Sequence, residues 1–130
     1  MYKPFIVTAL ILGALAVFLG AFGAHGLKGL VADQLLITYE TAVRYQFYHV
    51  FAIALTALIY QSIPSKNVLL AGKLFIAGII VFSGSLYLMT LLALTQFGQI
   101  KWIGAITPIG GLLFIGGWLL LAMTVYRNKE

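Results

Sequence analysis

The charged residues of this chain separate long apolar stretches. The stretches that lack a charged side chain cover residues 4–27, 45–65, 74–100 and 102–126. Each is long enough to cross a bilayer, which takes about 20 mostly apolar residues in a helix. The apolar residues are continuous and do not alternate, so the pattern predicts helices and not the strands of a membrane barrel. The sequence therefore predicts one all-α integral membrane domain over residues 1–130, a four-helix transmembrane bundle with approximate spans 4–24, 45–61, 73–95 and 108–126.

The ends of the helices are predicted from glycine, proline and capping residues. The glycines on both sides of His25 predict a sharp turn of the backbone after the first span. Asp33 is expected to cap a second helix whose first turns lie at the level of the lipid headgroups. Thr107 and Pro108 have the order of an N-cap and a first helical residue for the fourth helix. Between helices 1 and 2 we expect a short interfacial segment with an apolar side formed by Leu27, Leu30, Val31 and Leu35.

The composition supports lipid as the solvent of this fold. Of the residues, 62% are hydrophobic and 8% are charged, whereas a soluble domain carries about 25% charged residues. The chain has no cysteine, which excludes disulfides, thiolate metal sites and thiol catalysis. The net charge of +5 comes from basic residues near the span ends, so we expect membrane lipid and not nucleic acid as the partner.

The distribution of basic residues predicts the orientation. With four spans, both termini lie on the same side of the membrane as the turn at residues 62–67. That side carries Lys3, Lys66, Lys73, Arg127 and Lys129, and the other side carries Lys28, Arg44 and Lys101. Loops rich in lysine and arginine stay in the cytoplasm. We therefore expect a multi-pass protein of the inner membrane with both termini in the cytoplasm.

The segment from residue 39 to residue 49 concentrates polar groups at the start of an apolar helix. Glu40 precedes Arg44 by four residues, which is the favourable order for an ion pair on a helix. We expect a structural ion pair, and the alternative is a relay for protons or substrate. His49 points nearly opposite Glu40 because successive residues rotate by about 100°. The predicted topology places four candidate polar residues near the outer face, namely His25, Glu40, Arg44 and His49.

The third helix carries a second set of polar residues on one stripe, Ser83, Tyr87 and Thr90. Hydroxyl groups in lipid prefer partners on neighbouring helices, so hydrogen bonds between helices are expected here, and a polar cavity is the alternative. The remaining tyrosines and Trp102 are interpreted as residues of the membrane interface. The full set of candidate binding residues is His25, Glu40, Arg44, Tyr45, His49, Ser83, Tyr87 and Thr107.

The two histidines, His25 and His49, are candidates for a haem or metal site. Two imidazoles from two helices are a usual way to hold haem in a bundle. Two ligands without a thiolate or a nearby carboxylate make an incomplete metal site, however. A histidine that donates to a carbonyl of a neighbouring helix is the simpler interpretation. The sequence therefore predicts no cofactor and no catalytic residue, with haem or a metal as the alternative.

Four motifs resemble those of a known family. They are GAFGAHGLK at residues 20–28, ETAVRYQFYH at 40–49, FSGSLY at 82–87 and TPIGG at 107–111, with GW following at 117–118. Together they are similar to the YgdD/YwdK-like family of small bacterial inner-membrane proteins, which has transmembrane relatives in eukaryotes. The resemblance implies a polytopic all-helical membrane protein. It implies no established activity, so function stays open.

The leading functional hypothesis is a non-enzymatic protein that binds a lipid or small amphiphile, or that supports a membrane assembly. The alternative is a transporter or channel component that uses Glu40, Arg44 and the histidines. Four short helices rarely enclose a pathway, so this alternative requires a homo-oligomer. Small-residue faces such as Ala16, Gly20 and Ala24 could form its contacts. A third hypothesis is a membrane protein that binds haem or a metal.

Overall fold

A computed structural model of the chain describes residues 1–95 and 101–128. This part of the chain contains no strand and has four helices that are long and apolar enough to cross a membrane. They are α1 (Lys3–Leu27), α2 (Asp33–Ser62), α3 (Lys66–Leu92) and α4 (Lys101–Arg127). At a rise of about 1.5 Å per residue, each exceeds the roughly 30 Å of a bilayer's hydrocarbon core. The predicted fold class is confirmed.

Successive helices run antiparallel. The amide of Tyr2 donates to the carbonyl of Ala57 at 3.1 Å, which places the start of α1 beside the last turns of α2. Phe75 in the first half of α3 packs on Gly117 in the second half of α4. One end of the bundle, which we call the termini end, therefore contains the start of α1, the connection from α2 to α3 and the last described residues of α4. We call the other the loop end.

The apolar core lies between α2, α3 and α4, with α1 packed along α2. Of the 18 residues in the most apolar stretch of each helix, 44% are buried in α2 and 17% in α1. Helix α1 therefore presents most of its surface to lipid and contributes few side chains to the core. The buried core residues include Phe5, Ala9, Ile53, Ala57, Val68, Phe75, Ile79 and Phe114.

Glycine allows α3 and α4 to approach closely. A Cβ at Gly110 would lie 2.7 Å from the Cα of Phe82 and would overlap its backbone nitrogen. Phe82 belongs to a π-helical turn, Ile79–Ser83, within α3. Packing and not hydrophobicity drives helix association in lipid, so close backbone contact of this kind stabilises the pair. Gly110 and Gly117 of α4 are thus both used for packing inside the chain.

The connection from α1 to α2 differs from the prediction. The glycines around His25 do not break the helix, which continues as a π-helical turn, Gly23–Leu27. Gly23 is required here because a Cβ would lie 2.5 Å from the ring of Tyr39. The chain turns later, at Gly29, whose φ of 82° suits glycine. Residues 28–32 form a short segment between the helices, but it is a turn and not a helix.

Two predicted helix starts are wrong. Helix α2 has Ala32 at its capping position, and Asp33 is its first residue. Helix α4 already includes Lys101, so Thr107 is not an N-cap and Pro108 lies inside the helix. Proline is tolerated in a membrane helix because neighbouring groups can satisfy the backbone that it frees. Between the predicted third and fourth spans, residues 101–107 are helical, and residues 96–100 lie outside the described residues.

Substitution of Gly110 by alanine should destabilise the fold by about 2 kcal/mol, because the new methyl group meets backbone that cannot rotate away. Gly111→Ala is the matched control, since its Cβ would lie 4.0 Å from the nearest atom, in the ring of Phe82. The free energy of unfolding in mixed micelles provides the measurement. Equal stability of the two variants would contradict the close contact between α3 and α4.

Candidate functional site

The centre of the polar core is Gln46 on α2, which is 1% exposed. Its side-chain amide nitrogen donates to the carbonyl of Leu12 at 2.8 Å. Its amide oxygen accepts a hydrogen bond from the hydroxyl of Tyr87 at 2.7 Å. A single side chain therefore joins α1, α2 and α3 at the same level of the bundle.

Two tyrosines extend this centre towards the loop end. Tyr39 is fully buried, and its hydroxyl donates to the carbonyl of Leu19 at 2.7 Å. The rings of Tyr39 and Tyr87 meet edge to face with their centroids 5.2 Å apart. The interpretation of Tyr39 as an interface residue is wrong, whereas Tyr87 makes the hydrogen bond to another helix that was expected of its stripe. Each hydroxyl has found an acceptor inside the protein, so neither ring needs to reach the headgroup region.

The polar stripe of α3 faces a neighbouring helix, as predicted, and the structure shows that this helix is α2. Ser83 is buried and its hydroxyl donates to the carbonyl of Ala42 at 2.7 Å. The hydroxyl of Thr90 lies 3.0 Å from the carbonyl of Leu86 in its own helix and 3.3 Å from that of Leu35 in α2. The expected hydrogen bonds between helices are therefore confirmed for this stripe.

A pair of hydroxyls joins α3 to α4. The hydroxyl oxygens of Ser85 and Thr107 lie 2.7 Å apart, and that of Ser85 lies 2.8 Å from the carbonyl of Phe82. A carbonyl can only accept, so Ser85 donates to Phe82 and Thr107 donates to Ser85. Thr107, one of the candidate binding residues, thus ties two helices together.

His49 has a defined tautomer. Its Nδ1 lies 2.7 Å from the carbonyl of Tyr45, and its Nε2 accepts from the indole N–H of Trp118 at 3.2 Å. An indole nitrogen only donates, so Nε2 carries no proton and Nδ1 must carry one. The imidazole is therefore neutral. It stacks on the ring of Phe114 with centroids 3.5 Å apart and an interplanar angle of 8°.

The remaining predicted site residues do not join this core. His25, Glu40 and Arg44 are exposed near the loop end, and no ion pair joins Glu40 to Arg44 in the described part of the chain. His49 lies about 14 Å from Glu40 along α2, nine residues further on. Tyr45, 37% exposed, packs its ring on Phe82. The expectation that the two histidines, Glu40 and Arg44 share one depth is therefore wrong.

In the polar core, hydrogen bonds join neighbouring helices, and they leave no buried polar side chain of the described residues without a partner. The same part of the chain contains no group of three or more histidine, aspartate and glutamate side chains able to hold a metal. Both nitrogens of His49 are engaged, so a haem iron or metal ion could bind there only by replacing Tyr45 or Trp118.

Five residues of this core are not among the candidate binding residues, namely Tyr39, Gln46, Ser85, Thr90 and Trp118. Gln46 offered the clearest signal, because an amide side chain one residue into an apolar stretch must find a partner inside the protein. Tyr39 and Trp118 gave no comparable signal. Tyrosine and tryptophan are enriched at the membrane interface, so the sequence favoured an interface position over a buried one for both.

These features define a polytopic α-helical membrane protein with an internally satisfied polar core. The family described as "Protein of unknown function (DUF423)" matches residues 19–111, and the chain belongs to it. The resemblance to YwdK-like proteins is confirmed by relatives that are named as membrane proteins.

The UPF0382 membrane protein YwdK of Bacillus subtilis is 40% identical over 99 residues, which cover 75% of this chain and 80% of the relative. The UPF0382 membrane protein SAB0533 of Staphylococcus aureus is 46% identical over 98 residues, with the same coverage of 75% and 80%. The protein SH2409 of Staphylococcus haemolyticus is also 46% identical over 98 residues, again covering 75% and 80%. No solved structure matches this fold.

Substitution of Tyr87 by phenylalanine should lower the free energy of unfolding by about 1 kcal/mol, because it leaves the amide oxygen of Gln46 without its donor. The matched control is Tyr48→Phe, which changes a ring on α2 that is 54% exposed. Unfolding in mixed micelles measures both variants. A Tyr87 variant as stable as the Tyr48 variant would show that this hydrogen bond adds nothing to the fold.

The tautomer of His49 can be tested by ¹⁵N NMR of histidine-labelled protein at neutral pH. The His49 ring should show a protonated Nδ1 and an unprotonated Nε2. Trp118→Phe should shift the Nε2 resonance, because it removes the N–H donor, while the signals of the exposed His25 should not move. A proton on Nε2 would contradict the hydrogen bond from Trp118.

Proposed function

We propose that this protein is a non-enzymatic membrane protein that holds the acyl chain of a membrane lipid in a groove between α1 and α2. The observation that carries the proposal is the groove itself, with a volume of about 350 Å³. It opens towards the surrounding lipid. All of its lining residues are apolar, namely Ile6, Ala9, Leu10, Gly13, Ala14, Val17, Phe47, Val50, Phe51 and Ala54.

The shape of the groove suits a flexible hydrocarbon chain. Small residues such as Gly13 and Ala14 leave a depression on α1, while the rings of Phe47 and Phe51, 5.4 Å apart, stand beside it on α2. Surrounding lipid is as apolar as the groove, so water exclusion does not favour one occupant. A chain lying between two walls gains dispersion contacts that it lacks on a flat helix face. Shape therefore supports retention of an acyl chain.

The saturated polar core supports binding over transport. The hydroxyl, amide and imidazole groups between the helices donate to and accept from one another or nearby carbonyls, so they are already engaged in the described chain. Glu40 and Arg44, which the transport hypothesis used, lie on the surface instead. A homo-oligomer remains a prediction. The glycines Gly110 and Gly117 are already covered by α3.

We place the protein in the cell membrane with its termini in the cytoplasm. Among the described residues, the termini end carries Lys3, Lys66, Lys73 and Arg127, whereas the loop end carries Lys28, Arg44 and Lys101. The described acidic residues, Asp33 and Glu40, belong to the loop end. The excess of basic residues supports a cytoplasmic termini end.

Filling the groove should release the lipid. Ala14→Phe places a ring in the depression, and because Ala14 is exposed the helix packing is preserved. We expect the variant to retain about tenfold less phosphatidylcholine than the unmodified chain, a loss of about 1.4 kcal/mol. Native mass spectrometry after stepwise delipidation in mild detergent counts the retained lipid.

Ala21→Phe is the matched control, with the same substitution at an exposed site on α1 outside the groove. It should retain lipid like the unmodified chain. If Ala14→Phe retained as much lipid as this control, or if the unmodified chain kept none, the groove would have no role in lipid binding.

A further inference from the structure

A second cavity lies at the termini end, where α2, α3 and α4 meet. It has a volume of about 230 Å³ and is separate from the groove between α1 and α2. Its lining residues come from the connection between α2 and α3 and from the last turns of α4. They are Ile63, Ser65, Asn67, Leu120, Met123, Thr124, Arg127 and Asn128.

The walls of this cavity differ in chemistry. Ile63, Leu120 and Met123 supply apolar surface to the cavity, and Met123 is 49% exposed. Leu120 and Met123 precede Arg127 by about one to two turns of α4, so they lie further from the termini end. Arg127, Asn67 and Asn128 line the cavity as well and are exposed at the termini end. Polar and apolar walls thus follow the order of headgroup and hydrocarbon in a lipid leaflet.

The charge around the cavity is positive. Arg127 lines it, and Lys66 is an exposed neighbour of the lining residues Ser65 and Asn67. No acidic residue of the described chain lines the cavity. A guanidinium presents a planar fork of donors that matches two oxygens of a phosphate group. The cavity is therefore complementary to an anion.

We infer that this cavity binds the headgroup of an anionic phospholipid. The phosphate contacts Arg127, the amides of Asn67 and Asn128 hold the polar part of the headgroup, and the acyl chains leave over Leu120 and Met123. The apolar wall favours a lipid over free phosphate, because a small inorganic anion gains nothing from contact with leucine and methionine side chains. This site is independent of the groove between α1 and α2.

The test compares phosphatidylglycerol with phosphatidylcholine on the full chain in mild detergent, with binding measured by native mass spectrometry. Arg127→Gln should weaken binding of phosphatidylglycerol about fivefold and leave phosphatidylcholine unchanged, since a basic side chain at the membrane surface contributes about 1 kcal/mol towards an anionic lipid. Lys101→Gln is the control. It removes the same charge from the other end of the same helix. It should not change the preference.

The inference is overturned if Arg127→Gln binds phosphatidylglycerol like the unmodified chain, or if Lys101→Gln weakens it equally. The second result would mean that net charge alone attracts the lipid. Displacement of phosphatidylglycerol by an equal concentration of inorganic phosphate would also overturn it, since the site would then recognise a free anion. Ala14→Phe should keep its preference for phosphatidylglycerol, which separates this site from the groove.

Discussion

A polar side chain inside hydrocarbon has no water to bind, so it must be satisfied by another group of the protein. Gln46 meets this constraint with the carbonyl of Leu12 on one side and the hydroxyl of Tyr87 on the other. The two partners belong to different helices, so the amide fixes their register against α2. The same rule explains why the hydroxyls of Tyr39, Ser83 and Thr107 each donate a hydrogen bond to an oxygen on another helix. The polar residues of the core hold the helices in one arrangement.

These hydrogen bonds depend on short distances between helix backbones. Gly110 lies against the backbone of Phe82, and next to this contact Ser85 reaches Thr107. A larger residue at Gly110 would separate α3 and α4, and a short hydroxyl side chain could not span the wider gap. Glycine contacts and hydroxyl pairs therefore depend on each other. Close packing of the backbones brings the hydroxyl groups within hydrogen-bonding distance. The hydrogen bonds in turn select one arrangement of the helices, which contact between apolar surfaces in lipid would not do.

The sequence determined the number of helices because charged residues are costly in lipid and mark the ends of the spans. It also predicted that the stripe of Ser83 and Tyr87 faces another helix, since both residues follow a helical period. It misplaced the start of α4 because the rules for capping residues and proline come from helices in water, whereas Pro108 sits inside a membrane helix. It expected an ion pair between Glu40 and Arg44, but at the exposed end of α2 both charges can remain solvated.

The contrast between interior and surface decides where a ligand can act. A transport pathway needs polar groups that exchange partners, and the hydroxyls and amides of this core already have partners. His49 illustrates the point, since an imidazole held between Tyr45 and Trp118 and stacked on Phe114 is part of the packing. The concave surfaces of the described chain lie instead on the outside of the bundle, between α1 and α2, between α3 and α4, beside Lys66 on α3, and at the termini end around Arg127. Under the proposed function, lipid therefore binds in these surface hollows and not between the helices, where the buried polar side chains of the described residues are already paired.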